Sequence, residues 1–228
     1  MFEQLLSCVG TVSQRTLKSP KADNVTASVL KPEIELVYCS LGGILPSISL
    51  NLYQWDLEFD GIAVELDEDL HFNRYRSITL KSAIYERLPR FPLKAYQRYC
   101  SQYEKRCLQA GASPYGKWSS NGSEVQFGEA SKPGVLPAEV TDMQRGSPRW
   151  KQRAFYDFVK DLSPLLIHVP VVRVAVWDAV EDGDRSRTVN EVLAVPLGCA
   201  SSFALAALIK ERAADCSSRL ELATPTPD

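Results

Sequence analysis

Seven of the fourteen residues from Asp56 to Asp69 are acidic and none is basic. That density ordinarily marks a solvated loop, yet apolar residues alternate with the acids at the period of a strand. Asp60-Gly61 stands in the middle, and Asp-Gly between two alternating runs predicts a two-residue hairpin turn. Such a turn pairs Phe59 with Ile62, Glu58 with Ala63, Leu57 with Val64 and Asp56 with Glu65. Leu57, Phe59, Ile62, Val64 and Leu66 then share one face, and Asp56, Glu58, Glu65 and Asp67 share the other.

Carboxylates placed opposite one another, with Cβ atoms roughly 5 Å apart, repel. A hard divalent cation between them relieves the repulsion, because Mg²⁺ takes oxygen ligands and needs only one or two from protein. The competing reading is a hairpin whose acidic face is simply wet.

Directly after the acids the charge inverts. From His71 to Ser120 there are ten Lys and Arg against Glu86 and Glu104, a balance of 10 − 2 = +8, and six of the nine tyrosines lie in the same stretch. A basic segment interleaved with aromatics suits a phosphate backbone. It also suits a basic helical face that balances an acidic domain.

The elements that must position these residues follow from periodicity. Phe2, Leu5, Leu6, Val9 and Val12 predict a helix over 2–17. Lys31-Pro32 opens a second, which Gly42-Gly43 ends, and Glu33 falls in its first turn, where the helix dipole favours a carboxylate. Ser47 to Leu52 alternates and reads as a strand entering the hairpin. Ser77–Leu88 and Leu93–Ala110 read as helices, with Tyr96, Tyr99, Cys100, Tyr103 and Cys107 along one stripe of the second. Residues 111–148, rich in Gly, Ser and Pro, read as a weakly structured insertion with Trp118 and Phe127 as anchors.

From Arg149 to Asp161 the pattern predicts an amphipathic helix with Trp150, Ala154 and Phe158 inward and Lys151, Gln152 and Asp157 elsewhere. Val169 to Trp177 is β-branched and reads as a strand buried on both faces. Asp178–Arg187 reads as a charged loop, Val189–Val195 as a short strand, Ser201–Arg219 as an amphipathic helix and Ala223–Asp228 as a frayed tail.

At 228 residues, with 45% hydrophobic and 24% charged content, the chain has the composition of an ordinary globular protein. No charged-then-apolar leader is evident, and no apolar run reaches the length of a membrane span. A cytoplasmic protein with no membrane partner is the expectation. The six cysteines contain no C-x-x-C pair and read as reduced structural thiols, and with only two histidines a zinc site is not expected.

The order of helix with an early Glu, strand, acidic hairpin, helix and buried strand resembles the PD-(D/E)XK nuclease superfamily. More narrowly it is similar to the branch that contains the very-short-patch mismatch-repair endonuclease. Asp56 matches the first Asp of that pattern, Glu65-Leu66-Asp67 the second acidic element, and His71 the following histidine. Arg153 and Asp157 match the later helix, Val171–Trp177 the strand, and Glu33 the acid often present on the first helix. The resemblance covers residues 32–71 and 149–178.

The resemblance implies one α/β domain over 1–228 with a restriction-endonuclease-like αβββαβ core (28–71 and 149–200) and a large helical or loop insertion (72–148). It implies Mg²⁺ or Mn²⁺ held by Asp56, Glu65, Asp67 and the Leu66 carbonyl, with His71 as proton shuttle or phosphate contact. Glu33, Gln152 and Asp157 would support the site. Arg74, Arg76, Arg98, Lys105, Arg106 and Arg153 would grip DNA, the expected partner, with a second copy or another protein as further partners. The departure is Asp67, which stands where many relatives carry a lysine. Lys151 could supply that charge or face solvent, Asp67 could be a further metal ligand, or the site could bind without cleaving. The expected function is a metal-dependent endonuclease acting on DNA, the alternative a catalytically inactive nuclease-fold module.

Overall fold

A computed structural model of the chain describes residues 1–13, 16–112, 118–130, 146–182, 184–194 and 199–213. The elements run α1 (Phe2–Ser7), β1 (Val12–Ser13), α2 (Ala22–Thr26), α3 (Lys31–Ser40), β2 (Leu57–Phe59), β3 (Ile62–Asp67) and α4 (Arg74–Thr79). They continue with α5 (Leu93–Ala112), α6 (Asn121–Phe127), α7 (Pro148–Asp161), α8 (Ser163–Leu166), β4 (Val171–Ala175), β5 (Ala179–Asp182), β6 (Arg185–Thr188), α9 (Val189–Leu193) and α10 (Cys199–Ala213). Short 3₁₀ turns lie at Asp69–His71 and Ala83–Arg87. The architecture is mixed α/β. It divides into a sheet-bearing unit (Met1–Ser19, Tyr53–Asp67, Ser163–Asp228) and a helical unit (Pro20–Leu52, Glu68–Leu162). The helices α3 and α7 therefore group with the residues expected to form the insertion.

In the sheet-bearing unit the four strands stand in the order β1-β2-β3-β4, antiparallel except for the parallel β3–β4 pair. The hairpin register is the one the Asp-Gly turn requires: Phe59 opposite Ile62, Glu58 opposite Ala63, Leu57 opposite Val64. Asp60 and Gly61 take φ of 49° and 80°. Both turn positions of a type I′ hairpin need that left-handed region, which Gly enters freely and Asp tolerates. Asp60 is also anchored, its backbone donating to Thr11 O and its Oδ1 accepting from Thr11 N.

Leu57, Phe59 and Val64 join Leu5, Leu6, Val172, Val174, Leu205 and Ile209 in one buried cluster, with Ile62 and Leu66 packed against it. Each such side chain contributes about 1.5–3 kcal/mol by leaving water. The other face of the same strands carries Glu58, Glu65, Asp67 and Arg173, and it is buried, not wet.

Several elements differ from expectation. The first helix ends at Ser7, and Val12-Ser13 instead add a short strand beside β2. Gly10 permits this, because a Cβ there would stand 2.4 Å from the Phe59 ring. Ser47–Leu52 forms no strand, since β1 holds the position beside β2. The charged loop at 178–187 is the β5–β6 hairpin, and 189–193 is a helix. Its cap is a reciprocal box: the Thr188 hydroxyl accepts from Glu191 N, while Glu191 accepts from Thr188 N and Oγ1. The expected tail and residues 214–219 of the last helix lie outside the described residues.

The outer edge of β4 is closed by side chains. The Asp178 carboxylate accepts the Ala175 N–H at 2.7 Å, and Arg212 of α10 donates to the Arg173 carbonyl and to Asp178, each at 2.6 Å.

The helical unit is built around α7, which packs against α3, α4 and α6. This helix is buried nearly all round, with Lys151, Gln152 and Asp157 inside as well as Trp150, Ala154 and Phe158. The expected solvent face is absent because helices cover both sides of the apolar stripe. Ser77–Leu88 is not one helix either: Asn73 caps α4 by accepting from Tyr75 and Arg76 N, α4 ends at Thr79, and Ser82 starts the 3₁₀ turn. The stripe on α5 is core, with Tyr96, Tyr99, Cys100 and Cys107 buried. Trp118 and Phe127 anchor their segment as expected, meeting Trp150 and Tyr38 respectively. α6 is a helix there that composition did not suggest.

Candidate functional site

In β3, Ala63 donates to Pro170 O and Asp67 accepts from Val176 N, so odd-numbered residues turn their backbone groups to β4. Even-numbered residues turn theirs to β2, since the N–H and C=O of a strand residue face the same neighbour. The β2–β3 ladder stops at Leu57 and Val64, one pair short of Asp56 and Glu65. The expected Asp56–Glu65 ladder pair is therefore not formed. Where backbone pairing ends, the exposed Asp56 carboxylate takes over: its Oδ2 accepts the Leu66 N–H at 2.9 Å. The Leu66 carbonyl points to that same side.

Glu65 and Asp67 flank Leu66 on the polar face. The parallel register sets Arg173 opposite Glu65. Its Nη1 lies 2.7 Å from Asp67 Oδ1 and 3.7 Å from Glu65 Oε2. All three are nearly sealed from water, at 5% exposure for Glu65, 1% for Asp67 and 2% for Arg173. Arg173 is the functional candidate that sequence reasoning missed. Its signal was a lone charge in a β-branched run, because a fully buried Arg requires a paired acid. Glu58, by contrast, is structural: it accepts Leu17 N, the Thr16 hydroxyl and the Ser13 hydroxyl, tying the N-terminal segment to β2.

In the helical unit His71 and Asp157 form a pair, Nδ1 to Oδ2 at 2.8 Å. With the proton on Nδ1 the ring donates to Asp157, and Nε2 stands 3.9 Å from the exposed Glu68. Its 3₁₀ turn is pinned to α5: Cys107 Sγ donates to Leu70 O and accepts from Asn73, and Arg106 meets Asp69 at 3.4 Å. Burial pushes the Cys107 thiol up to about 12, so it serves as a hydrogen-bonding spacer and not as a nucleophile.

Lys151, the candidate for the absent lysine, is 1% exposed, which removes the solvent-facing reading. Its Nζ lies 6.0 Å from the Tyr75 ring centroid, and desolvation raises the Tyr75 phenol above its ordinary value. Gln152 accepts from Arg149 and donates to Gly122 O, so it braces α7. Glu33 accepts the Ser82 hydroxyl at 2.9 Å, linking α3 to the start of the 3₁₀ turn at Ala83.

The basic residues separate by burial. Arg98, Lys105 and Arg106 are exposed. Arg74 is tied by Nε to Glu104 at 2.6 Å, and that carboxylate raises its already high pKa. Arg153 is half-buried. Arg76 cannot meet a phosphate: it is buried against Asp161 at 2.6 Å, with Thr79 and Tyr85 hydroxyls at 3.2 Å. Its expected role in gripping DNA gives way to a structural ion pair.

Residues 36–195 match the family of unknown function DUF7255. The chain belongs to that family. The DUF7255 match contains the hairpin, His71, α7 and β4, and so every candidate above except Glu33. Arg212, which braces Arg173 in this DUF7255 chain, lies beyond it. No curated protein and no solved structure matches the chain.

Proposed function

We propose that the chain is a divalent-metal-dependent endonuclease acting on DNA, built on a restriction-endonuclease-like core. One observation carries the reading: Asp56 meets Leu66 where the hairpin ladder ends, with Glu65 and Asp67 on either side of Leu66. The donors are all oxygen, as Mg²⁺ and Mn²⁺ require, so the residues present fit such an ion. Asp56, Glu65, Asp67 and the Leu66 carbonyl would hold it. A bound ion would lower the pKa of a coordinated water and stabilise charge on the scissile phosphate. Within the helical unit, His71, oriented through Nδ1 by Asp157, presents an imidazole suited to proton transfer or phosphate contact. Exposed Arg98, Lys105 and Arg106 attract the DNA backbone, and Arg173 balances the charge of Glu65 and Asp67 while no ion is bound.

The second reading, a nuclease-fold module that binds without cleaving, is favoured by the hold of Arg173 on Asp67. Incubating supercoiled plasmid with the purified protein in Mg²⁺, Mn²⁺ or EDTA separates the two. Metal-dependent nicking that disappears in Asp56→Asn and Glu65→Gln supports the enzyme. DNA retention without nicking in any metal supports the module.

A further inference from the structure

We infer that Arg173 is a resident counter-ion of the carboxylate cluster, and that a divalent cation binding at Glu65 and Asp67 must displace its guanidinium. The inference rests on the metal-site reading above and states what controls loading of that site. Arg173 enters the polar face from β4 directly opposite Glu65. Its Nη1 donates to Asp67 Oδ1 at 2.7 Å and stands 3.7 Å from Glu65 Oε2. That hydrogen bond takes one of the lone pairs of Asp67, and a divalent ion on the same carboxylates would stand within a few ångströms of the guanidinium, where like charges repel strongly in a water-poor site.

The strand itself is held in place. Arg212 grips the Arg173 carbonyl at 2.6 Å, and Asp178 takes the Ala175 N–H at 2.7 Å. Loading therefore requires a turn of the Arg173 side chain while β4 stays in place. Carboxylates this deeply buried need a paired cation or a metal. The two occupants are thus alternatives: Arg173 supports the protein when metal is scarce, and its retreat opposes metal binding.

The test compares wild type with Arg173→Gln and Arg173→Lys, as full-length chains, by calorimetric Mn²⁺ binding and by thermal melting in EDTA and in Mn²⁺. Arg173→Gln should melt below wild type in EDTA, bind Mn²⁺ about tenfold tighter, and gain more melting temperature from Mn²⁺. Arg173→Lys keeps the charge on a single ammonium and should fall between them. Mn²⁺ binding by wild type that Arg173→Gln does not strengthen overturns the inference and leaves the metal reading standing. Absence of Mn²⁺ binding in wild type and both variants overturns the metal reading, and the inference with it. If Arg173→Gln does not fold in EDTA, Arg173→Lys decides: an affinity at or below that of wild type overturns the inference.

Discussion

Among the described residues, two guanidiniums are buried in contrasting company. Arg76, in the helical unit, faces the Asp161 carboxylate, with the Thr79 and Tyr85 hydroxyls beside it and the Phe91 ring 5.8 Å from its guanidinium carbon. Arg173, in the sheet-bearing unit, faces two carboxylates, Glu65 and Asp67. The Arg76–Asp161 pair, closed in by hydroxyls and a ring, is structural and holds α4 to α7. The Arg173 guanidinium instead stands between two acids of one strand, Glu65 and Asp67. Both arginines are buried, so the company each keeps tells them apart.

The largest expected effect comes from breaking the structural pair. Arg76→Ala removes the guanidinium that the buried Asp161 faces and should cost about 3–5 kcal/mol, read as a lower urea midpoint that Mn²⁺ does not restore. A loss that Mn²⁺ repairs would erase the distinction between the two clusters. Next comes the His71–Asp157 pair, which belongs to the helical unit yet is partly open to water. His71→Ala should reduce plasmid nicking about 100-fold with little change in the unfolding midpoint. A large stability loss with unchanged nicking would move that pair into the structural class with Arg76.

The smallest effect tests an exposed charge against these buried ones. The Thr11 N–H and then Lys210 hold the Asp60 carboxyl below its ordinary 3.8. A depressed carboxyl adds stability above the unfolded value, and that stability is lost as pH falls through the folded one. Asp60→Asn keeps the turn geometry, because Asn also tolerates positive φ. It should therefore melt slightly below wild type at pH 7, by less than about 1 kcal/mol, with the two curves converging as pH drops below 3.8. Parallel curves down to acid pH would assign the effect to packing and not to charge.

The hairpin was legible because both of its signals are local: a period of two and an Asp-Gly turn. Ser47–Leu52 shows that alternation alone is insufficient, since a strand also needs a neighbour and β1 already occupies that place. The two-residue β1 is too short to carry a period. Thr188 and Glu191 did carry a local signal, the capping box that starts α9. The partners of the buried charges were not legible. Arg173 and Asp67 are 106 residues apart in the chain, and Lys151 reads as surface until helices are laid over both sides of α7. Periodicity reports which residues avoid water, while ion pairing depends on which strands and helices become neighbours.

The closed edge of β4 bears on association between molecules. An edge strand whose backbone groups point outward is a template on which another chain can add a strand, and proteins blunt such edges with charge. Here the Arg173 carbonyl and the Ala175 N–H are already engaged by Arg212 and Asp178. The blocking arginine comes from α10, close to the end of the described residues. Clipping the chain before α10 would thus expose a strand edge as well as remove Leu205 and Ile209 from the core. Fragments lacking that helix are expected to stick to one another edge to edge.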